Sequence, residues 1–408
     1  MLEIKPKKLK VHSLTGRITP ELMTASWKAV KRNKGAAGID RITIPRYAKN
    51  ALNHTGVLMK RLKTRGGYKC PPLKRVYIPK GNTGDQRPLG IPTVDTRVAQ
   101  EVIRRLLEPI YEKQFHENSF GFRPGRNCHQ AVERVLKYMK NGHKHVVDID
   151  IKGFFDNIPH NVIMTMLRAE IADGNVLEII ETFLGSGVVE DGALTPTTKG
   201  TPQGGVISPL LANITLNYLD WKLEQKGFKF VRYADDMVIL CETADQAKNA
   251  LALTIGILAD LGLECSPEKT KISTEKEGFQ FLGFDISSQK VTIREKSRKK
   301  FEDKIAELTT RSRNLDKVAI EKLNQVIRGT VNYFHTRFSR VLGYFRSVDC
   351  WIRERIRWMK YKSKRWTHHI RLKNKHIRRK GLMGCREICA HAKSKWCSPR
   401  GKQIGVAQ

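Results

Sequence analysis

The stretch KFVRYADDMVILCE, Lys229 to Glu242, sets Asp235 and Asp236 side by side in an otherwise apolar, β-branched segment. Adjacent carboxylates repel unless a hard cation neutralises them, so a pair at a hairpin tip suits a divalent metal. A bare polar turn between two strands accounts for the same residues, because Asp is a common turn former and apolar residues run on both sides. A second carboxylate site decides between the two. It stands in KHVVDIDIKGFFDNIPH, Lys144 to His160, where Asp148 and Asp150 alternate with Val and Ile. The period of two puts both on one face of a strand, expected to end near Phe154 and Phe155. Two strands that each deliver Asp at their ends can hold a pair of Mg²⁺ ions, which stabilise the attacking and leaving oxygens of an in-line phosphoryl displacement.

Those strands need a scaffold, and the chain is long enough, at 408 residues, for two to four subdomains with ample core. TPELMTASWKAVKRN, Thr19 to Asn33, predicts a helix with a Thr cap and Pro at its first position, broken by GAAGID. The run from Leu73 to Glu112 predicts a strand, a Gly-rich hairpin tip, a second strand and a helix from about Val98. Lys80 and Arg87 flank that tip, where they are either solvated or placed to reach over a bound triphosphate.

Lys and Arg total 75 against 40 Asp and Glu, a net charge of +35 that points to a polyanionic partner. Nucleic acid leads. No run is apolar enough to span a membrane, and MLEIKPKKLK lacks the apolar core of a signal peptide, so a soluble cytoplasmic protein is expected. The eight cysteines fit reduced thiols. Cys385, Cys389, His391 and Cys397 cluster near the C-terminus, but their spacing matches none of the common zinc patterns, and the metal is assigned to the carboxylates.

Eight segments in order then carry a resemblance: NKGAAGID, RVYIPK with RPLGIPT, SFGFRPGRNCHQA, DIDIKGFFDNIPH, GTPQGGVISPLLANITLNYLD, YADD, LGLECSPEKTKIS and FLGF. Together they resemble reverse transcriptases, and among them the proteins encoded by bacterial group II introns. Two positions depart from the family pattern: Thr96 stands where Asp is usual and Thr330 where Trp is common. The resemblance implies Asp150 and Asp235 as principal metal ligands supported by Asp236, with Ile151 in the metal set, and Mg²⁺ (two ions, Mn²⁺ able to substitute) as cofactor. It implies Phe155 as the bulky gate under the sugar that selects deoxynucleotides, Lys80 and Arg87 on the triphosphate, and Gln203 against the incoming nucleotide. Lys269 is a candidate for protonating the pyrophosphate leaving group, with a solvated surface Lys as the alternative.

From about Val291 the Lys- and Arg-rich, helix-compatible sequence resembles the thumb of these proteins, the seat of maturase activity. Trp351 to Lys380 holds 13 basic residues and one acidic, interleaved with Trp351, Trp358, Tyr361 and Trp366. Charge with aromatics fits a backbone-tracking surface with stacking platforms, for which Arg353, Arg357, Trp358, Lys364 and Arg365 are the candidates. The expected fold is α+β, a right-hand polymerase with fingers and early palm over 1–145, a palm of antiparallel sheet and helices over 146–288, a helical thumb over 289–366 and a basic DNA-binding region over 367–408. No HNH endonuclease segment is recognisable, and the absence of Val-Thr-Gly in the thumb argues against a retron enzyme. The expected function is an RNA-dependent DNA polymerase of a group II intron-like element, acting on dNTPs, a structured intron RNA template and a DNA primer or target, and assisting splicing and retrohoming. A splicing maturase without polymerase activity, or a domesticated relative in repair or defence, is the alternative. Clustering three carboxylates without a metal would be costly, which favours the polymerase. The oligomeric state, the cognate RNA and the target site are not set by the sequence.

Overall fold

The computed structural model describes residues 9–79, 86–201 and 204–397, the last six of them by backbone alone. Lys80 and Gln203 therefore lie outside the described residues. The chain divides into two units, one ending at Ile272 and the other starting at Ser273. Both mix helices with sheets, so the α+β class holds.

In the first unit, helix α1 (Pro20–Arg32) starts where the sequence predicts, with the Thr19 hydroxyl accepting from the amide of Leu22. Helices α2 (Ile44–Ala48) and α3 (Ala51–Lys63) follow. Strands β1 (Leu73–Pro79) and β2 (Gln86–Ile91) pair antiparallel about the segment that includes Lys80. Helix α4 spans Val94–Tyr111, four residues earlier than expected, because Thr93 caps it by accepting from Thr96 N at 3.1 Å. Thr96 itself is buried and bonds the hydroxyls of Thr93 (2.9 Å) and Tyr68 (3.3 Å), so this position serves the core and not solvent.

Helix α5 (Cys128–Lys140) opens with a capping box between Asn127 and Gln130. Strand β3 covers His145–Ile149, shorter than expected: Gly153 takes a left-handed φ of 53°, and Phe154–Asn157 wind into the one-turn helix α6. Then come α7 (His160–Glu170), α8 (Gly174–Leu184), the small hairpin β4 (Val188–Glu190) and β5 (Ala193–Thr195), and α9 (Ser208–Gln225). Strands β6 (Lys229–Tyr233) and β7 (Asp236–Cys241) and helix α10 (Ala244–Asp260) follow, and strand β8 (Lys271–Thr274) runs across the division.

Two sheets result. One has the order β2-β1-β4-β5 and is mixed, since β1 pairs parallel with β4. The other has the order β6-β7-β3-β8, with β7 antiparallel to both β6 and β3. Its apolar faces join a core of Val147, Ile149, Phe230, Met237 and Ile239 with the inward sides of α4, α7, α9 and α10. Continuous apolar strands such as β7 are what a sheet covered by helices requires.

The second unit opens on an antiparallel meander, β9 (Phe279–Phe281), β10 (Phe284–Ile286) and β11 (Val291–Ile293), in the order β11-β10-β9. Helices α11 (Glu295–Leu308), α12 (Lys317–Phe334), α13 (Leu342–Tyr361), α14 (His368–Arg371), α15 (Asn374–Arg379) and α16 (Cys385–Cys397) follow. Phe284 packs edge-to-face on Phe334 at 5.2 Å and stacks on Tyr333 at 5.9 Å, which seats α12 on the meander. Buried Asp349 of α13 accepts from the amides of Cys385 (2.7 Å) and Arg386 (3.1 Å), satisfying the first turn of α16. No helix among the described residues is long and apolar enough to cross a membrane.

Candidate active site

The acidic hairpin is built by register. Tyr233 pairs with Asp236, so Ala234 and Asp235 form a two-residue loop. Such loops demand positive φ, normally supplied by Gly; here Ala234 takes φ 58°. Strand β3 runs antiparallel beside β7, with His145 opposite Cys241 and Ile149 opposite Met237. The register ends there, one residue before Asp150 on β3 and one residue after Asp236 on β7, and the charge of Asp150 acts on Asp235. The hairpin of the polar-turn reading is present, and its carboxylates stand beside the end of β3.

Asp150 is anchored by its backbone, its carbonyl accepting from Ser266 N at 2.8 Å and its amide facing the Thr270 hydroxyl at 3.4 Å. Its carboxylate receives the Lys269 ammonium at 3.2 Å. Lys269 stays largely exposed while making this contact, so the pair is also what a solvated surface lysine beside an acidic residue would form. Ile151 is buried and bridges Cys265, fixing the main chain just past Asp150. Asp235 is half-buried and Asp236 exposed. Burial, and then the negative charge of Asp150, hold the Asp235 carboxyl above the ordinary range, while Arg87 and Arg232 pull the other way.

Phe155 on α6 is half-buried, packed against the core, with its ring edge-to-face on Phe154 at 5.3 Å. Its carbonyl accepts from Thr201 N at 2.6 Å, and Gly200 N donates to Ile158 O at 2.7 Å, so the loop leading to Gln203 is stitched onto this turn.

Among the described residues no group of three His, Cys, Asp or Glu stands close enough to hold a metal ion. The donors present are nonetheless of the type a hard divalent cation takes: carboxylate oxygens, one of them held above its usual range by burial and then by a second carboxylate, and one paired at the surface with a lysine ammonium. They fit Mg²⁺ or Mn²⁺ when substrate oxygens complete the coordination. The cysteine cluster does not offer this chemistry. Cys385 and Cys389 are buried one turn apart on α16, Cys385 with its thiol pushed up by burial, and His391 is exposed.

In the second unit the basic segment separates into two kinds of residue. Arg357 is a correction: it is 4% exposed, with Nε donating to Leu372 O at 3.1 Å and Nη2 to Asn374 Oδ1 at 2.6 Å. It ties α13 to the turn before α15 and has no surface to offer a phosphate. Lys364 and Arg365 are exposed and Arg353 is half-buried. Trp358 carries Lys364 Nζ at 4.3 Å and Arg355 at 5.5 Å from its ring centroid, so its π-face is already engaged by cations. Trp366, 77% exposed, is the aromatic open for stacking.

One feature the sequence reading passed over lies directly beneath the acidic loop: Arg232 and Asp220, a fully buried ion pair. An arginine in an apolar strand and an aspartate in an apolar helix were the available signal, since buried charges are found paired.

The reverse transcriptase (RNA-dependent DNA polymerase) family matches residues 78–286, and the group II intron maturase-specific domain matches residues 298–381. The group II intron-encoded protein LtrA of Lactococcus lactis subsp. cremoris is 32% identical, over 66% of this chain and 55% of its own. Protein YkfC of Escherichia coli (strain K12) is 31% identical, over 71% of this chain and 85% of its own. A 91 kDa protein in the cob intron of Schizosaccharomyces pombe is 30% identical, over 55% of this chain and 35% of its own. The chain spans about half the length of LtrA. With both domains present in order, and relatives of this identity over most of the chain, it belongs to the group II intron-encoded reverse transcriptase/maturase family.

Proposed function

We propose that the chain is an RNA-directed DNA polymerase of a group II intron-like element that also binds its intron RNA to assist splicing and retrohoming. The observation that supports this is the β3–β7 register, which ends at Ile149–Met237, one residue short of Asp150 and of the Asp235–Asp236 hairpin, although the two segments lie more than eighty residues apart in sequence. A structural hairpin has no use for a third carboxylate delivered there. On this reading the β6-β7-β3-β8 sheet is the palm of a right hand, the β1–β2 hairpin belongs to the fingers, and the helices after Val291 are the thumb, with 367–408 as the DNA-binding region.

Asp150, Asp235, Asp236 and the main chain of Ile151 would hold two divalent cations, which when bound supply charge stabilisation for an in-line nucleotidyl transfer. The chain's own residues do the rest. Arg87 and Lys80 neutralise the triphosphate. Gln203 packs against the incoming nucleotide. On this reading the Phe155 ring would clash with a ribose 2′-hydroxyl, so deoxynucleotides are chosen by shape and the base is left to the template. Lys269, already within 3.2 Å of Asp150, holds a proton beside the site and can pass it to the departing pyrophosphate.

Primer extension with dNTPs on an RNA template tests the proposal. Asp150→Asn and Asp235→Asn keep shape and remove charge, so synthesis should fall on the order of a thousandfold or more, while RNA binding stays. Extension within about tenfold of wild type in both variants would sink the polymerase assignment. A wild-type chain that binds intron RNA and extends nothing would leave only the maturase.

A further inference from the structure

Arg232 has no exposed surface and stands two residues before the acidic loop. Its guanidinium reaches in three directions. Nε and Nη2 grip Asp220 of α9, at 2.7 Å to Oδ1 and 2.5 Å to Oδ2. Nη1 donates both to Asn213 Oδ1 and to the carbonyl of Ala234, each at 2.9 Å. Asn213 lies two helical turns before Asp220, so both point from one side of α9, and its Nδ2 donates in turn to the Gly121 carbonyl at 2.8 Å. The main chain around Arg232 is held as firmly: its amide donates to Asn118 O at 2.9 Å, and Phe120 N donates to its carbonyl at 2.8 Å. Gly121 closes the arrangement, because a Cβ there would come within 2.3 Å of Ala234 N.

A buried ion pair is a poor way to gain stability, since an apolar pair of similar volume often serves as well or better. What a guanidinium adds is direction: a rigid fork with several donors at fixed angles. One arm of that fork is spent on the carbonyl of the left-handed Ala234, whose peptide carries Asp235. We infer that Arg232, clamped by Asp220 and Asn213, is a positioning residue for DNA synthesis: it fixes the Ala234–Asp235 peptide, and so the direction in which the Asp235 carboxylate faces Asp150. This rests on the polymerase reading above. Arg232 touches no substrate; it acts through Ala234.

The double variant Arg232→Met with Asp220→Leu removes both charges and leaves no buried ion unpaired. It should fold and bind structured RNA equally well, with its melting point lowered because Asn213 Oδ1 and the Ala234 carbonyl lose their donor. Its kcat for dNTP incorporation should nevertheless drop on the order of a hundredfold, the cost of a misplaced reacting group, with the dNTP KM within about threefold of wild type. Arg232→Lys, which keeps the charge but cannot grip Asp220 and Ala234 together, should fall between. Amide hydrogen exchange over residues 233–237 should quicken in the double variant while β3 and α9 stay protected. If kcat of the double variant lies within threefold of wild type, the pair only fills the core and the inference is overturned. Should the wild-type chain extend no primer, the polymerase reading fails by itself, and unchanged exchange over 233–237 would then overturn the positioning role independently.

Discussion

The division of the basic segment into exposed and buried cations can be tested in the second unit. Lys364 and Arg365 are exposed and Arg353 half-buried, whereas Arg357 spends its guanidinium on Leu372 and Asn374. If the first three neutralise phosphates, changing them together to Gln removes three contacts, each worth roughly 0.7 of log–log salt slope on single strands and 0.9 on duplex. The slope should flatten by roughly 2 to 2.7, and affinity at about 0.1 M salt should drop by roughly 100- to 500-fold. Arg357→Gln should do something different. Charge-assisted hydrogen bonds contribute about 1.5–3 kcal/mol each, and Gln is too short to remake both, so this variant should lose about 2–4 kcal/mol of stability with its salt slope unchanged. Filter binding of a folded group II intron RNA over a salt series, beside thermal melts of the same preparations, separates the two effects. A triple variant with the wild-type slope would mean that these cations are only solvated. An Arg357→Gln variant that flattens the slope and melts normally would mean that its side chain reaches RNA, contrary to its burial.

Two further outcomes follow from the acidic site. Phe155→Ala should open space beside the sugar and raise ribonucleotide relative to deoxynucleotide incorporation by roughly 1–3 kcal/mol, read as the ratio of kcat/KM values; an unchanged ratio makes the ring a core residue only. Asp235→Asn should gain stability where Asp235 is ionised. The folded carboxyl titrates above its ordinary range, so its contribution to stability is complete below the unfolded pKa and is lost as pH rises through the folded one. The variant should therefore melt above wild type near about pH 7, and the two should converge in acid; parallel curves at every pH would refute the assigned strain.

What could be read in advance followed the range of the interactions. The Thr19 cap, the β1–β2 hairpin and the Ala234–Asp235 loop depend on neighbours in sequence, and their positions were legible to within a few residues. Helix α4 and strand β3 were misjudged at an end, because a Thr93 hydroxyl and the left-handed Gly153 act on single residues that periodicity averages away. Chemistry alone asked for two Asp-bearing strands and the family resemblance singled out Asp150 and Asp235; the antiparallel register of β3 on β7, which ends beside both, is not encoded by any local pattern. Arg357 failed for the opposite reason. Counting basic residues treats every cation on α13 alike, yet Arg357 adjoins Ile356 and follows buried Asp349 by eight residues, close to the stripe of Phe345, Val348, Ile352 and Ile356 that faces the core. Arg232 and Asp220 are the same lesson in the first unit: charges set in apolar elements, hidden by a reading that looked for charge only where it meets solvent. A charged side chain on an apolar stripe must find a partner inside, and the partner tells what it is for. Arg357 ends on a helix and a turn, and so holds a fold together. Arg232 ends on the carbonyl next to Asp235, and so holds an acidic site in place.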